Sequence, residues 1–231
     1  MSGLSLRLAR LLERGFPLSG GFEVPPGAIC ALIGPSGGGK STVLGVIAGF
    51  VQAEAEVRID GREVSALPPA ERPVTMLFQD HNLFPHLDLA GNVALGVAPV
   101  ARPGREARAR AVAALAEVGL AGFEARRPDA LSGGQRSRAA LARALIRRRP
   151  ALLLDEPFAA LGPGMRAEML GLLRRVAAET GAATVLVTHD PAEARAADLV
   201  AVVGEGEVTS ARPPEAAFAD PPPALARWLG D

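Results

Sequence analysis

Short apolar runs of strand length punctuate the chain, and helix-compatible stretches separate most of them. Leu4-Ser5-Leu6-Arg7-Leu8 alternates apolar and polar positions, as an edge strand with one buried face would. Ala28-Ile29-Cys30-Ala31-Leu32-Ile33 is continuously apolar, the pattern of a strand buried on both faces, and Pro25-Pro26-Gly27 ahead of it reads as a turn. Val57-Arg58-Ile59 running into Asp60-Gly61 predicts a strand entering a hairpin turn, so a small antiparallel sheet is expected near the N-terminus. Val74-Thr75-Met76-Leu77-Phe78 predicts a buried strand ending at Gln79. From Pro85 to Arg149 the character changes. A helix is expected over Arg105–Val118, with Ala111, Leu115 and Val118 on one side, and another over Ala130–Arg148, starting near Ser132. Strands then return at Ala151–Asp155, Ala183–Thr188 and Leu199–Val203, with a helix over Met165–Glu179. Strands alternating with helices predict an α/β fold whose mostly parallel sheet is covered on both faces, interrupted by a helical insert. The Pro- and Ala-rich C-terminal stretch is expected to wrap the surface with Trp228 as its apolar anchor.

Composition narrows the classes. The 231 residues suffice for a sizeable core, and 25 basic against 25 acidic residues leave no global field directed at nucleic acid or an anionic membrane. The one cysteine, Cys30, lies inside an expected strand and reads as a small buried apolar residue; no disulfide within the chain is possible, which suits a reducing compartment. The N-terminus lacks a signal-peptide pattern and no apolar run approaches membrane-spanning length. A protein soluble by itself is expected, with any membrane link made through a partner.

Gly34-Pro35-Ser36-Gly37-Gly38-Gly39-Lys40-Ser41-Thr42 fits G-x-x-x-x-G-K-[ST] without mismatch, between an apolar strand and a helix-compatible run. Glycines let successive N–H groups turn inward, and the helix start adds its positive dipole end, making a concave site for nucleotide phosphates. Lys40 would place a compact ammonium on the β- and γ-phosphates and the Ser41 hydroxyl would hold Mg²⁺. Lys40 is the only lysine beside 24 arginines, so this position alone uses a slender point charge where a planar guanidinium is the rule. At Leu152-Leu153-Leu154-Asp155-Glu156-Pro157 an apolar strand ends in adjacent carboxylates, at the tip where open α/β sheets bind ligands. Asp155 is placed to hold Mg²⁺ and Glu156 to activate water against the γ-phosphate. Leu131-Ser132-Gly133-Gly134-Gln135 opens a helix with a hydroxyl cap and a glycine pair, a second anion site or an ordinary capped helix. Two phosphate-binding turns on one chain imply either two ligands or one nucleotide shared with another copy.

These three motifs, in this order, resemble the ATPase subunit of ABC transporters over nearly the whole chain. The resemblance implies a P-loop NTPase (RecA-like) core with an N-terminal antiparallel β subdomain and an inserted α-helical subdomain, in one nucleotide-binding domain. The expected bounds are 1–85 and 150–215 for the core, 86–149 for the helical subdomain and 216–231 for a tail. It implies that Gln79 contacts Mg²⁺ and the attacking water and couples them to the transmembrane partner, and that His189 acts on the γ-phosphate. His81 and His86 read as loop residues at the transmembrane-domain contact. ATP would lie between the phosphate loop of one copy and Ser132–Gln135 of a second, paired head to tail. Permease subunits, and through them a periplasmic solute-binding protein, are the implied further partners, with no nucleic acid, at the cytoplasmic face of the bacterial inner membrane. Two positions depart from the family pattern. Ala159-Ala160-Leu161-Gly162 lacks the family's carboxylate at Gly162, and with no tyrosine in the chain Phe16 is left as the adenine contact.

Arg72-Pro73-Val74-Thr75-Met76-Leu77-Phe78-Gln79-Asp80-His81-Asn82-Leu83-Phe84-Pro85-His86-Leu87, with Ile47-Ala48-Gly49-Phe50, is similar to the ATPases of bacterial thiamine importers. Relatives serving ferric iron, sulfate or polyamines share much of the stretch but usually carry an extra C-terminal domain, for which a chain ending at Asp231 is expected to be too short. A non-transport ABC ATPase and a non-hydrolysing binding module stand as alternatives. A GTPase switch does not, since Asn-Lys-x-Asp cannot occur where Lys40 is the sole lysine.

Overall fold

The structure, a computed structural model, describes residues 3–11, 17–78, 83–100 and 103–230. In chain order the elements are β1 Leu4–Leu11, β2 Ser19–Val24, β3 Ile29–Ile33, α1 Lys40–Ala48, β4 Ala53–Ile59, β5 Arg62–Glu63, β6 Val74–Leu77, α2 Leu89–Ala94, α3 Arg105–Glu117, α4 Gly133–Ile146, β7 Ala151–Asp155, α5 Pro163–Thr180, β8 Ala183–Val187, α6 Pro191–Ala196, β9 Leu199–Gly204, β10 Glu207–Val208, α7 Pro214–Ala219 and α8 Pro223–Gly230. The ten strands order as β5-β4-β1-β2-β10-β9-β3-β8-β7-β6. β9, β3, β8 and β7 run parallel, with Leu32 opposite Val187 and Ala201, while β2, β1, β4 and β5 are antiparallel. Every residue of β3 and β8 is buried, which is why both read as unbroken apolar runs.

Two expectations about strands fail for one reason: a buried face does not report how many ladder neighbours a strand has. Leu4, Leu6 and Leu8 of β1 do point inward, but β1 pairs with β2 on one side and β4 on the other, so it is not an edge. β6, read as a buried strand, stands last in the sheet order; of its residues Thr75 and Leu77 are buried and Val74 and Met76 partly exposed. The turn at Asp60-Gly61 has φ of 50° and 77°, the left-handed pair a two-residue hairpin demands. At the C-terminal end, the stretch expected to wrap the surface forms α7 and α8. Leu225, fully buried, is the anchor rather than Trp228, which stays half-buried.

The chain forms two compact units: the described residues of Met1–Met76, Arg149–Glu156 and Ala177–Asp231, and those of Leu77–Arg148 and Pro157–Val176. In the first, Val43, Leu44 and Ile47 of α1 join one core with Leu4, Leu6 and Phe22 of the antiparallel strands and Cys30, Leu32, Leu153 and Val185 of the parallel ones. Burial pushes the Cys30 thiol up to about 12, so it packs as an apolar group. In the second unit α2, α3 and α4 pack through Leu89, Val93, Ala111, Leu115 and Leu141. Buried Asn92 accepts from the Phe84 N–H at 2.7 Å and donates to the carbonyls of Phe84, Leu87 and Asp88, pinning the loop ahead of α2.

The direction of α1 positions the site, and Arg72 holds its far end. Its buried guanidinium donates to the α1 carbonyls of Val46 and Ile47 at 2.7 and 2.8 Å and to those of Ser65 and Leu67 at 2.7 and 2.9 Å. The charge sits on the negative end of the helix dipole. A Cβ on Gly49, which ends α1 at φ 84°, would come within 2.6 Å of Arg72 Nε. Arg72→Met therefore leaves buried carbonyls unpaired and should lower stability by about 3 kcal/mol in urea unfolding; a loss below about 0.5 kcal/mol would contradict this role.

Candidate functional site

Gly34–Gly39 connects β3 to α1, and its backbone geometry is one only glycine tolerates. Gly34, Gly37 and Gly39 have φ of 141°, 75° and 104°. A Cβ on Gly34 would lie 2.0 Å from the carbonyl oxygen of Val203 in β9, and one on Gly38 would lie 3.0 Å from the same oxygen. The loop is therefore seated directly on the neighbouring strand. α1 begins at Lys40 with no side chain capping it and no acidic residue in its first turn among the described residues, so nothing within the helix itself offsets its positive end. Lys40 is buried and its ammonium donates to the carbonyls of Gly34 and Pro35, both at 2.9 Å. Burial pulls this amine below the ordinary lysine range, while Glu156 and Asp155 pull it back up. Uncapped N–H groups and a desolvated cation belong to one loop, which is the chemistry of a polyphosphate site.

The tip of β7 faces the same loop. Burial raises the Asp155 carboxyl above the usual range; a hydrogen bond from Ser41 lowers it, the Glu156 charge raises it and Lys40 lowers it. A hydroxyl and a desolvated carboxylate in contact are hard oxygen donors, and they fit Mg²⁺ held partly by substrate phosphate and water. No group of three or more His, Cys, Asp or Glu able to form an all-protein cage occurs among the described residues. Glu156 follows in the left-handed region at φ 48°, its N–H donating to Val187 at 3.1 Å. A non-glycine residue there carries strain of about 1–3 kcal/mol, and such strain concentrates at functional sites. Oε2 of Glu156 lies 3.3 Å from Nδ1 of His189. His189 is held from behind: buried Thr188 donates to Glu193 at 2.6 Å and accepts from the Asp190 N–H at 3.0 Å.

In the second unit Ser132 caps α4 with a complete capping box. Its hydroxyl oxygen accepts from the Gln135 N–H at 3.3 Å, and Gln135 Oε1 accepts from the Ser132 N–H at 2.9 Å. The Ser132 hydroxyl proton and the N–H groups of Gly133 and Gly134, which open the first turn, have no intrahelical acceptor. A Cβ on Gly134 would meet Leu161 at 3.2 Å, so the Ala159–Gly162 turn backs this loop, whereas a Cβ on Gly162 would meet nothing within 4 Å. Gly162 is thus not imposed by packing. Gln79, His81 and Phe16 lie outside the described residues. His86 makes an edge contact with Phe84, ring centroids 5.8 Å apart. The structure thus brings together Lys40, Ser41, Asp155, Glu156 and His189. Sequence reasoning did not find Val203, Thr188 or Glu193; a Thr-x-x-x-x-Glu spacing across a strand end and a short helix offered no recognisable signal.

An α/β sheet with a phosphate loop feeding an uncapped helix, and a carboxylate pair at the next strand tip but one, defines a P-loop nucleotide-binding protein. The ABC transporter family profile matches residues 19–159, and the chain belongs to that family. The thiamine import ATP-binding protein ThiQ of Cereibacter sphaeroides is 53% identical over 97% of this chain and 99% of its own. That of Jannaschia sp. is 45% identical over 98% and 100%. Among solved structures, the ATP-binding cassette MJ0796, in a dimeric post-hydrolysis state bound to ADP and Pi, is 32% identical with a TM-score of 0.80, over 91% of this chain and 98% of that one.

The raised Asp155 carboxyl has a consequence for stability. A carboxyl whose folded pKa lies above its unfolded value costs stability above that range, and the cost fades as pH falls through it. Asp155→Asn removes the cost, so the nucleotide-free protein should melt about 2–4 °C higher. A lower melting temperature would contradict the desolvation argument.

Proposed function

We propose that the chain is the ATP-hydrolysing, energy-coupling subunit of a bacterial ABC importer for thiamine. The observation that carries the reading is the uncapped start of α1 with Lys40 folded into the Gly34–Thr42 loop, facing Asp155 and Glu156. The relatives named thiamine import ATP-binding proteins, similar over nearly full length, support the cargo. Gly34, Ser36, Gly37, Gly38, Gly39 and Thr42 wrap the phosphates by backbone N–H groups, Pro35, which has no N–H, shapes the turn between them, and Lys40 leaves its two carbonyls to meet the β- and γ-oxygens. Ser41 and Asp155, with Gln79, would hold Mg²⁺, which would offset charge on the phosphates. Glu156 orients and deprotonates the attacking water; His189, 3.3 Å from it, supports the γ-phosphate. Phe16 contacts the adenine.

Ser132, Gly133, Gly134 and Gln135 complete the site of a second copy. The capping box leaves the Ser132 hydroxyl proton and two N–H groups to donate to the γ-phosphate from across a head-to-tail dimer. Closing the dimer on ATP and reopening it after hydrolysis would drive permease subunits at the cytoplasmic face of the inner membrane, fed by a periplasmic solute-binding protein. No helix among the described residues is long and apolar enough to cross a membrane.

Glu156→Gln keeps the shape and removes the base. Phosphate release should fall by about 10²–10³-fold while an ATP-bound dimer accumulates in gel filtration. Equally slow hydrolysis by the unaltered protein and the variant would support a non-hydrolysing binding module instead.

A further inference from the structure

The phosphate loop has a support that the reading above does not use. α8 starts on the Pro222 carbonyl, which accepts from the N–H groups of Leu225 and Ala226 at 2.8 and 2.9 Å. Its inner face buries Ala224 and Leu225, and Arg227 on its flank pairs with Glu205, the residue that follows β9 in the left-handed region at φ 56°. The helix is thus fixed to the end of β9 by an apolar contact and an ion pair. Between α8 and the phosphate loop lies a single residue, Gly204. A Cβ there would come within 2.6 Å of the Ala224 Cβ and 3.3 Å of the Pro35 Cδ, so both residues crowd the space beside this glycine. The space that Pro35, Gly204 and Ala224 share therefore has no room for one methyl group.

Pro35 is part of the cradle. Its carbonyl accepts from Lys40 Nζ at 2.9 Å and from the Gly38 N–H at 3.1 Å. A displacement of Pro35 moves an acceptor that orients the site's cation and bends the loop that supplies its N–H groups.

We propose that α8 is a positioning element for the nucleotide site: Ala224, packed with Pro35 around the open face of Gly204, holds Pro35 in place and so sets the affinity for the ATP phosphates. This rests on Gly34–Thr42 being the ATP cradle. The small residues at 204 and 224 are required by each other, and α8 is part of the rear wall of the loop, not a terminal appendage.

The test is the steady-state ATPase of the full chain, with the melting temperature measured without nucleotide. Gly204→Ala should raise KM for ATP roughly five-fold and leave kcat within about two-fold, because the loop is displaced while Glu156 is not. Adding Ala224→Gly to the same chain removes the closer of the two clashes and should return KM to within about two-fold of the unaltered value. Leu225→Ala removes the fully buried anchor of α8 and should raise KM in the same sense; it decides the matter if Gly204→Ala fails to fold. An unchanged KM in Gly204→Ala, or in Leu225→Ala, overturns the proposal. So does a double variant as impaired as the single one, since a merely structural defect would lower melting temperature and kcat without rescue of KM. Failure of the unaltered chain to bind ATP would instead remove the reading on which the inference rests.

Discussion

Where Gly34 passes β9, any side chain at all would bring a carbon within 2.0 Å of the Val203 oxygen. That close approach fixes the phosphate loop against the parallel sheet, and the site is arranged from it. With the loop seated, α1 must start at Lys40 with its N–H groups facing outward, and the ammonium folds back onto two loop carbonyls. β7, two strands from β3 across β8, then delivers Asp155 to the Ser41 hydroxyl. A fold with both faces of its central strands buried can hold these groups rigidly, since β3 and β8 have no solvent-facing position through which to relax.

The two glycine-rich helix starts differ in a way that matches different tasks. α1 is uncapped, so a ligand must satisfy its first turn; α4 carries a full capping box, so the helix is stable by itself and offers only a hydroxyl proton and two N–H groups. The first can act as a primary binding site. The second is suited to recognise a phosphate already held elsewhere, as a shared dimer site would require. The strained backbone of Glu156 belongs to the same logic: the residue is kept in a costly conformation by its N–H bond to Val187 and ends beside His189.

Much of this was legible in the sequence, for physical reasons that also explain the gaps. Parallel strands buried on both faces leave unmistakable apolar runs, so Ile29–Ile33, Ala151–Asp155 and Ala183–Val187 could be read directly. The phosphate loop, the carboxylate pair and the Ser132 cap are local chemistry and declare themselves by spacing. β2 left no signal, because Gly20 and Gly21 lie where a Cβ would meet the carbonyls of Val208 and Leu6 at 2.1 and 2.0 Å; close strand approach there needs residues that read as a turn. The helices α2 and α6, six residues each, are too short to show a period. The contacts that seat the loop, from Val203 to Gly34 and from Gly204 to Pro35, each join positions 169 residues apart, and no pattern along a single sequence reveals them.

The account stands or falls on one ATP being held jointly by the Lys40 loop of one copy and the Ser132 loop of another. Mixing two inactive variants, Lys40→Ala and Ser132→Arg, tests this directly by phosphate release. Each homodimer lacks one half of both sites, whereas the mixed dimer contains one site built from intact halves. The account predicts that ATPase activity reappears on mixing, at about a quarter of the unaltered level when the subunits exchange freely. A mixture no more active than the sum of its parts would contradict it.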